Sequence, residues 1–332
     1  MITRSKNQIL LTIALIFVLA APVGIVAAAA DYANTAAIFD LGVGARTMGM
    51  GGAFIGLSDD ENAALYNPAG LAFLDGAGIN TSYNNRFDAL TYNSAVGAVK
   101  SFGIAGMSLS SGMFDVTDEY GVKTGEVTSY SSSALVGSFG INGDMVGLGS
   151  AAKNLGIGLQ IRSFNSSLHT TEGSGFSLSL SSLYRTQIDE NTRLQLGIII
   201  PSVVLGQFSD PGFPLGKITY ENSDGGVVHE EKFPNNFGLG VGLNTVGLID
   251  QGLNISLDWR AQGGIRGGLE HLFPLGAVRF GVTGSGILSA GAGLRLANLG
   301  SADFLEQIRI DGVYQWHPDL DNSYLFSFSA RI

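Results

Sequence analysis

Chemistry needs acids, bases or metal ligands in register, and this chain offers few. Its four histidines, His169, His229, His271 and His317, stand apart, with no partner at helical spacing and no cysteine anywhere. Neither a zinc site nor a nucleophile-histidine-acid arrangement can be read from that pattern. Gly147-Leu148-Gly149-Ser150-Ala151-Ala152 fits the glycine fingerprint of dinucleotide binding, but a strand-like LGIGLQI follows where the fingerprint requires a helix. Asp59-Asp60-Glu61 lacks the alternating oxygen ligands of a calcium loop and reads better as the capped start of a short helix through Ala63 and Ala64. What remains is a set of charges, Arg162, Asp258, Arg260, Arg266 and Glu270, on the polar faces of alternating segments. Charges so placed hold or tune a lumen, whereas catalysis needs a tighter acid, base and nucleophile constellation. No enzymatic activity, cofactor or metal is expected.

The elements carrying those charges alternate with period two. Leu155, Ile157, Leu159 and Ile161 interleave with Gly156, Gly158 and Gln160; Leu253, Ile255, Leu257 and Trp259 interleave with Asn254, Ser256, Asp258 and Arg260. Phe237 to Asn244 and Leu194 to Ile200 repeat the pattern. One face is cleanly apolar and the other is Gly, Ser, Asn and Gln, as strands between lipid and a polar lumen require. A secreted β-sandwich is the alternative, but its solvent face would be rich in Lys and Glu. Charged residues make up only 14% of the chain, against about 25% in soluble domains. Mean hydropathy is +0.26, yet after Ala30 no apolar run approaches the ~20 residues of a membrane-spanning helix. Because a bilayer cannot solvate backbone amides, the remaining solution is a closed barrel.

Alternating segments start near Gly78, Leu90, Phe102, Ser131, Asn154, Gly175, Thr192, Phe233, Gly252, Gly264, Gly276, Gly286, Gln307 and Ser323. That makes about fourteen antiparallel strands, an even number as single-chain bacterial barrels have. Gly263-Gly264, Phe273-Pro274 and Ser285-Gly286 mark tight turns. Thr117 to Ser129 and Gly206 to Asn236 are long enough to be external loops. Tyr184, Trp259, Tyr314 and Trp316 are candidates for an aromatic girdle. The last strand places Tyr324, Phe326, Phe328, Ala330 and Ile332 on one face.

Residues 1–30 have a basic start, an apolar run and four closing alanines, the layout of a signal peptide cleaved before Asp31; an uncleaved anchor is the alternative. Losing that segment, with two basic and no acidic residues, takes the formal net charge from -10 to -12. So acidic a chain has no electrostatic footprint for nucleic acid, and without cysteine it has no disulfides.

Residues 31–74 remain to be placed. The stretch GARTMGMGGAFIGLSDDENAALYNPAGLAFL resembles the N-terminal signature of the PorV/PorQ family of outer-membrane proteins, a branch of the FadL-like barrels. The matching elements are Gly44-Ala45-Arg46, the core around Gly49, Gly51 and Gly52, then Asp59 and Asp60, and Asn67, Pro68, Ala69 and Gly70. The terminal IRIDGVYQWHPDLDNSYLFSFSARI resembles the family's last hairpin, although the final residue, Ile332, is not aromatic.

The resemblance implies a fourteen-stranded barrel over residues 75–332, in the outer membrane of a diderm bacterium, with residues 31–74 plugging the lumen. A first strand and turn of the barrel wall is the alternative for that segment. The resemblance also implies a role in protein secretion or envelope transport. Exported proteins or secretion-machinery components would bind the external loops, with Phe208, Phe213, Tyr220 and Phe233 as candidate contacts. FadL-like passage of hydrophobic small molecules, and a structural barrel without cargo, stay open beside it. In each case lipid is the surrounding partner.

Overall fold

The computed structural model describes residues 36–147, 149, 152–201, 216–234, 237–246, 252–296 and 308–332. Among the described residues, eighteen strands follow one another. The first six are β1 (Ala77–Arg86), β2 (Leu90–Val99), β3 (Phe102–Ser111), β4 (Phe114–Thr117), β5 (Lys123–Thr128) and β6 (Tyr130–Asn142). Then come β7 (Leu155–Leu168), β8 (Thr171–Asp189), β9 (Thr192–Ile200), β10 (Lys217–Asn222), β11 (Val227–Lys232) and β12 (Gly238–Thr245). The last are β13 (Gly252–Arg260), β14 (Gly264–Phe273), β15 (Gly276–Thr283), β16 (Leu288–Arg295), β17 (Ile308–Trp316) and β18 (Ser323–Arg331).

Fourteen of these close on themselves. Neighbours pair antiparallel from β1 through β2, β3, β6, β7, β8, β9 and β12 to β18, and β18 returns to β1 with Gly78 opposite Arg331. Closure satisfies every strand edge within the ring, which is the condition for crossing hydrocarbon. β4 and β5 form a separate hairpin, while β10 and β11 form one that leaves the ring and pairs with β8. The first begins at Phe114 and overlaps the expected Thr117–Ser129 loop, and the second, Lys217 to Lys232, lies within the expected Gly206–Asn236 loop. Both lie at the end opposite the first residue of β1 and the last of β18.

Length alone does not sort the two ends. The Gly263-Gly264 and Ser285-Gly286 turns share the hairpin end, and only the Phe273-Pro274 turn lies with the chain termini. The observed starts match the expected ones closely, with the largest differences at β8 and β12. β8 begins at Thr171, ahead of the expected Gly175, because its first outward residues, Glu172 and Ser174, are polar and give no apolar alternation to read. Phe233 precedes β12 and packs inward, so it does not open the strand.

Within the wall the usual protein polarity is inverted. Ile79, Phe102, Ile104, Leu135, Ile161 and Phe280 point outward and are exposed, Phe102 to 59%. Asn80, Ser82, Gln160, Asp258, Glu270 and Arg279 point inward and are buried. Tyr184, Trp259, Tyr314 and Trp316 are all outward and exposed, with the last two rings edge to face at 4.8 Å.

At the hairpin end of β2 to β10 the polarity reverses. On β7 the outward Leu155, Ile157, Leu159 and Ile161 give way to Ser163, Asn165 and Ser167, while the inward Gln160 and Arg162 give way to Phe164. Strands of 14 and 19 residues, β7 and β8, exceed the 9–11 that a bilayer needs, and the surplus lies in this reversed part.

Candidate functional site

Residues 36–74 lie against the inward faces of strands all round the ring. The segment has almost no regular structure, with one-turn helices at Ala45–Gly49 and Ala63–Tyr66 and 3-10 turns at Ala37–Phe39 and Pro68–Phe73. Glycine on both sides lets backbone meet backbone. Gly51 has φ +66°, and a Cβ there would meet Val282 N and O at 2.8 Å; across from it, a Cβ on Gly281 or Gly268 would collide with Gly51 or Met50. Gly56 lies in the same way on Val241 and Gly242, and Gly158 meets Ala69.

Hydrogen bonds fix the register of the segment. The Asp258 carboxylate accepts from the Phe54 and Ile55 amides at 2.7 and 2.9 Å. Asn67 Nδ2 donates to Ile55 O at 2.9 Å and to Ser182 O, and its Oδ1 accepts from the Ala69 amide. Gln160 and Ser138 donate to Ala64 O. Asn67, Pro68, Ala69 and Gly70 thus form a turn seated on β7 and β8. Gly49 lies on Arg279, and Gly52 lies beside the Arg266 guanidinium.

Asp59 and Asp60 make no side-chain bond to the helix residues themselves: the Ala63–Tyr66 turn has Asn62 at its N-cap, and only the Asn62 amide donates to Asp60 Oδ1, at 2.9 Å. Their partner is Arg46, 6% exposed, whose Nη1 lies 2.6 Å from Asp59 and 2.8 Å from Asp60 while its Nη2 lies 2.7 Å from Glu270. From Glu270 the chain of pairs continues to Arg279 at 2.8 Å, to Asp311 at 2.7 Å and to Arg309 at 2.6 Å. An isolated buried charge is costly and a fully paired one is tolerated, which is why the network is continuous.

Burial alone would lower the Arg46 pKa, but the surrounding carboxylates raise it well above its usual range. Burial would raise Asp59, and Arg46 outweighs that to hold it low. Glu61 is different. At 1% exposure, 3.4 Å from Arg331 and with no hydrogen-bond partner for Oε1, it is pushed up to about 7 by burial and by the charge of Asp60. Sequence reasoning found Asp258, Arg260 and Glu270 as lumen charges but missed Arg279, Arg309 and Asp311, which look like ordinary strand charges until the ring brings three strands together.

The opposite side of the interior is apolar. Tyr92, Met107, Leu109, Val136, Phe164 and Ile218 point inward from β2, β3, β6, β7 and β10. Phe39 from the N-terminal segment, Phe164 from the wall and Phe233 from the hairpin connection form a cluster of three rings, with centroids 5.8 to 6.4 Å apart. Below them is a cavity of about 40 Å³ touched by Phe39, Leu65, Tyr66, Met107 and Ile199 on the apolar side and by Asp40, Arg162, Arg260 and Arg266 on the polar side. Arg260 and Arg266 each keep a buried Nε without a hydrogen-bond partner. Burial raises the pKa of Asp40 against the pull of these arginines.

Of the loop candidates, Tyr220 is buried and donates to Glu231, and Phe233 is buried in the ring cluster, so neither presents its ring to the exterior. Phe208 and Phe213 lie outside the described residues, as do residues 1–35.

No protein-family model matches the chain, and no curated protein sequence does. Among solved structures it is similar to the TodX deltaS2S3 mutant monoaromatic hydrocarbon channel, at 13% identity over 88% of this chain and 99% of that one, with a TM-score of 0.53. It is also similar to the Pseudomonas putida toluene transporter TodX, at 14% identity over 87% and 96% with a TM-score of 0.46. A Pseudomonas aeruginosa FadL homologue matches at 12% identity over 84% and 95% with a TM-score of 0.43. At such identities only the first likeness carries an argument, and it concerns the fold alone: a closed antiparallel β-barrel.

Proposed function

We propose that the chain is a passage for hydrophobic small molecules across the outer membrane of a diderm bacterium. Residues 1–30 serve as a cleaved signal peptide, residues 31–74 as a plug and residues 75–332 as the barrel. The single observation that carries this reading is the reversal of polarity at the hairpin end. A pore for polar solutes would line its mouth with polar groups all round, whereas here the β2 to β10 side of the interior beyond the lipid belt is built mainly of Tyr92, Met107, Leu109, Phe164 and Phe233.

An apolar solute arriving from outside meets the three-ring cluster first, and the cavity beneath it second. At about 40 Å³ that cavity is far smaller than the ~300 Å³ at which small-molecule sites begin, so passage requires the Phe39 and Phe233 rings to move apart. The arginines below favour a solute that ends in an acidic group over a plain hydrocarbon.

Native mass spectrometry of the detergent-extracted protein, with identification of what accompanies it, tests the reading. Bound apolar small molecules that are lost on Met107→Asp support it; an empty barrel, or ligands indifferent to Met107, overturns it. A second reading, binding of exported proteins in the PorV manner, is favoured by apolar residues exposed on the two hairpins, among them Tyr120 at 83% and Val227. Its signature in the same spectra is a reproducible protein complex that is lost on Tyr120→Ala.

A further inference from the structure

The outer face of the reversed part carries two rungs of polar side chains whose register is unbroken across five strands. Ser108 on β3 lies opposite Ser133 on β6, then come Asn165, Ser174 and Thr219 on β7, β8 and β10. One rung farther from the chain termini, Ser110, Ser131, Ser167, Glu172 and Glu221 are aligned in the same way. All project to the same side, because each is two residues from its rung neighbour on the same strand. Since β10 leaves the ring to pair with β8, this stretch of wall is concave, and these side chains line a groove of about 490 Å³.

The depth of the groove follows from the strands beneath it. The next rung toward the termini carries Leu135 and Phe176, and the one after it Ile104, Ile161 and Leu178. Ten residues separate Leu155, at the start of β7, from Asn165. At about 3.3 Å per residue and a tilt of about 40°, they rise about 25 Å, the height of a barrel's lipid-facing band. The groove therefore begins where the hydrocarbon ends and continues the lipid-facing surface into the headgroup layer.

Its chemistry selects among headgroups. Hydroxyls and one carboxamide dominate and no Lys or Arg lines the groove; the cation next to it on the same face, Lys217 of β10, is paired with Glu230 at 3.2 Å. Glu172 and Glu221 are direct cross-strand partners, a like-charge arrangement that destabilises a sheet unless something bridges it. Two adjacent carboxylates repel anions and accept hydrogen bonds from neighbouring hydroxyls, and the serines can donate or accept in turn. We infer that the groove binds the uncharged saccharide headgroup of a glycolipid in the outer leaflet, its acyl chains lying on the Leu135 and Phe176 rung.

The test uses the full chain in phosphatidylethanolamine nanodiscs carrying a minor share of diglucosyl diacylglycerol, phosphatidylglycerol or a phosphorylated lipid A. Lipids retained after detergent release are read by native mass spectrometry. The diglucosyl lipid is expected to be retained over phosphatidylglycerol by roughly tenfold, the equivalent of about 1.4 kcal/mol. Ser133→Ala with Asn165→Ala and Ser174→Ala removes the preference while leaving thermal unfolding unchanged; should that variant fail to fold, Glu172→Gln with Glu221→Gln is measured instead and is expected to weaken it. Equal retention of the two lipids, a preference untouched by the variants, or retention of only the phosphorylated lipid and only with magnesium overturns the inference.

Discussion

At the scale of single residues, the interior is governed by which charges have partners. Arg46 serves three carboxylates, two from its own segment and one from β14, so it joins segment to wall. Arg46→Ala leaves Asp59, Asp60 and Glu270 buried together. It is expected to destabilise the protein by about 3–5 kcal/mol in denaturant unfolding from detergent, whereas truncating the exposed Lys123–Asp115 pair costs under about 1 kcal/mol.

Glu61 gives a pH dependence whose sign is fixed. Its carboxyl is raised from the ordinary 4.5 to about 7. Below 4.5 it is protonated folded and unfolded alike, and it contributes no penalty. Between 4.5 and 7 the unfolded chain releases the proton and the folded one keeps it, so stability falls as pH rises, by roughly 3 kcal/mol in total. Asp40 shifts in the same direction and Asp59 in the opposite one, so the informative quantity is a difference. Thermal unfolding at pH 5 and pH 8 is expected to show the native protein losing stability and Glu61→Gln losing clearly less.

At the scale of elements, the position of the lipid belt is the quantity to test. Ile161 and Asn165 both face outward from β7, one within the apolar rungs and one just beyond them. Ile161→Arg is expected to cost about 2–4 kcal/mol in unfolding from a bilayer, and Asn165→Arg about 0–1 kcal/mol. Comparable costs at the two sites would move the belt.

The ring strands were legible in the sequence because a wall between lipid and lumen imposes strict alternation over nearly every strand. The two outer hairpins were not, since β4, β5, β10 and β11 are short, wet on most sides and under no such constraint. Nor was the turn between β1 and β2, where Phe87 and Asp88 both take positive φ, at 58° and 49°, with no glycine to announce it. Asp59 and Asp60 read as caps in the sequence and their ion-pair partner did not show, because Arg46 precedes them by a turn-rich stretch and only the folded segment brings the three together.

At the scale of the whole molecule, an ionic half of the interior faces an apolar half, and the N-terminal segment lies between them. The ionic half anchors Arg46 of the segment, while its Phe39 joins the three-ring cluster of the apolar half, so one end of the segment can move while the other stays held. Replacing Phe39 and Phe233 together by alanine is therefore expected to open the mouth without loosening Arg46, and to raise passage of an apolar solute severalfold.

The most direct measurement of that account is uptake of a labelled apolar aromatic and of a labelled hydrophilic sugar by cells whose outer membranes carry the native protein, the Phe39→Ala/Phe233→Ala variant or no barrel of this kind. The account predicts faster uptake of the aromatic with the native protein than without it, faster again with the variant, and no gain for the sugar with the native protein. Aromatic uptake that is the same with and without the protein, or sugar uptake that rises as much, would contradict it.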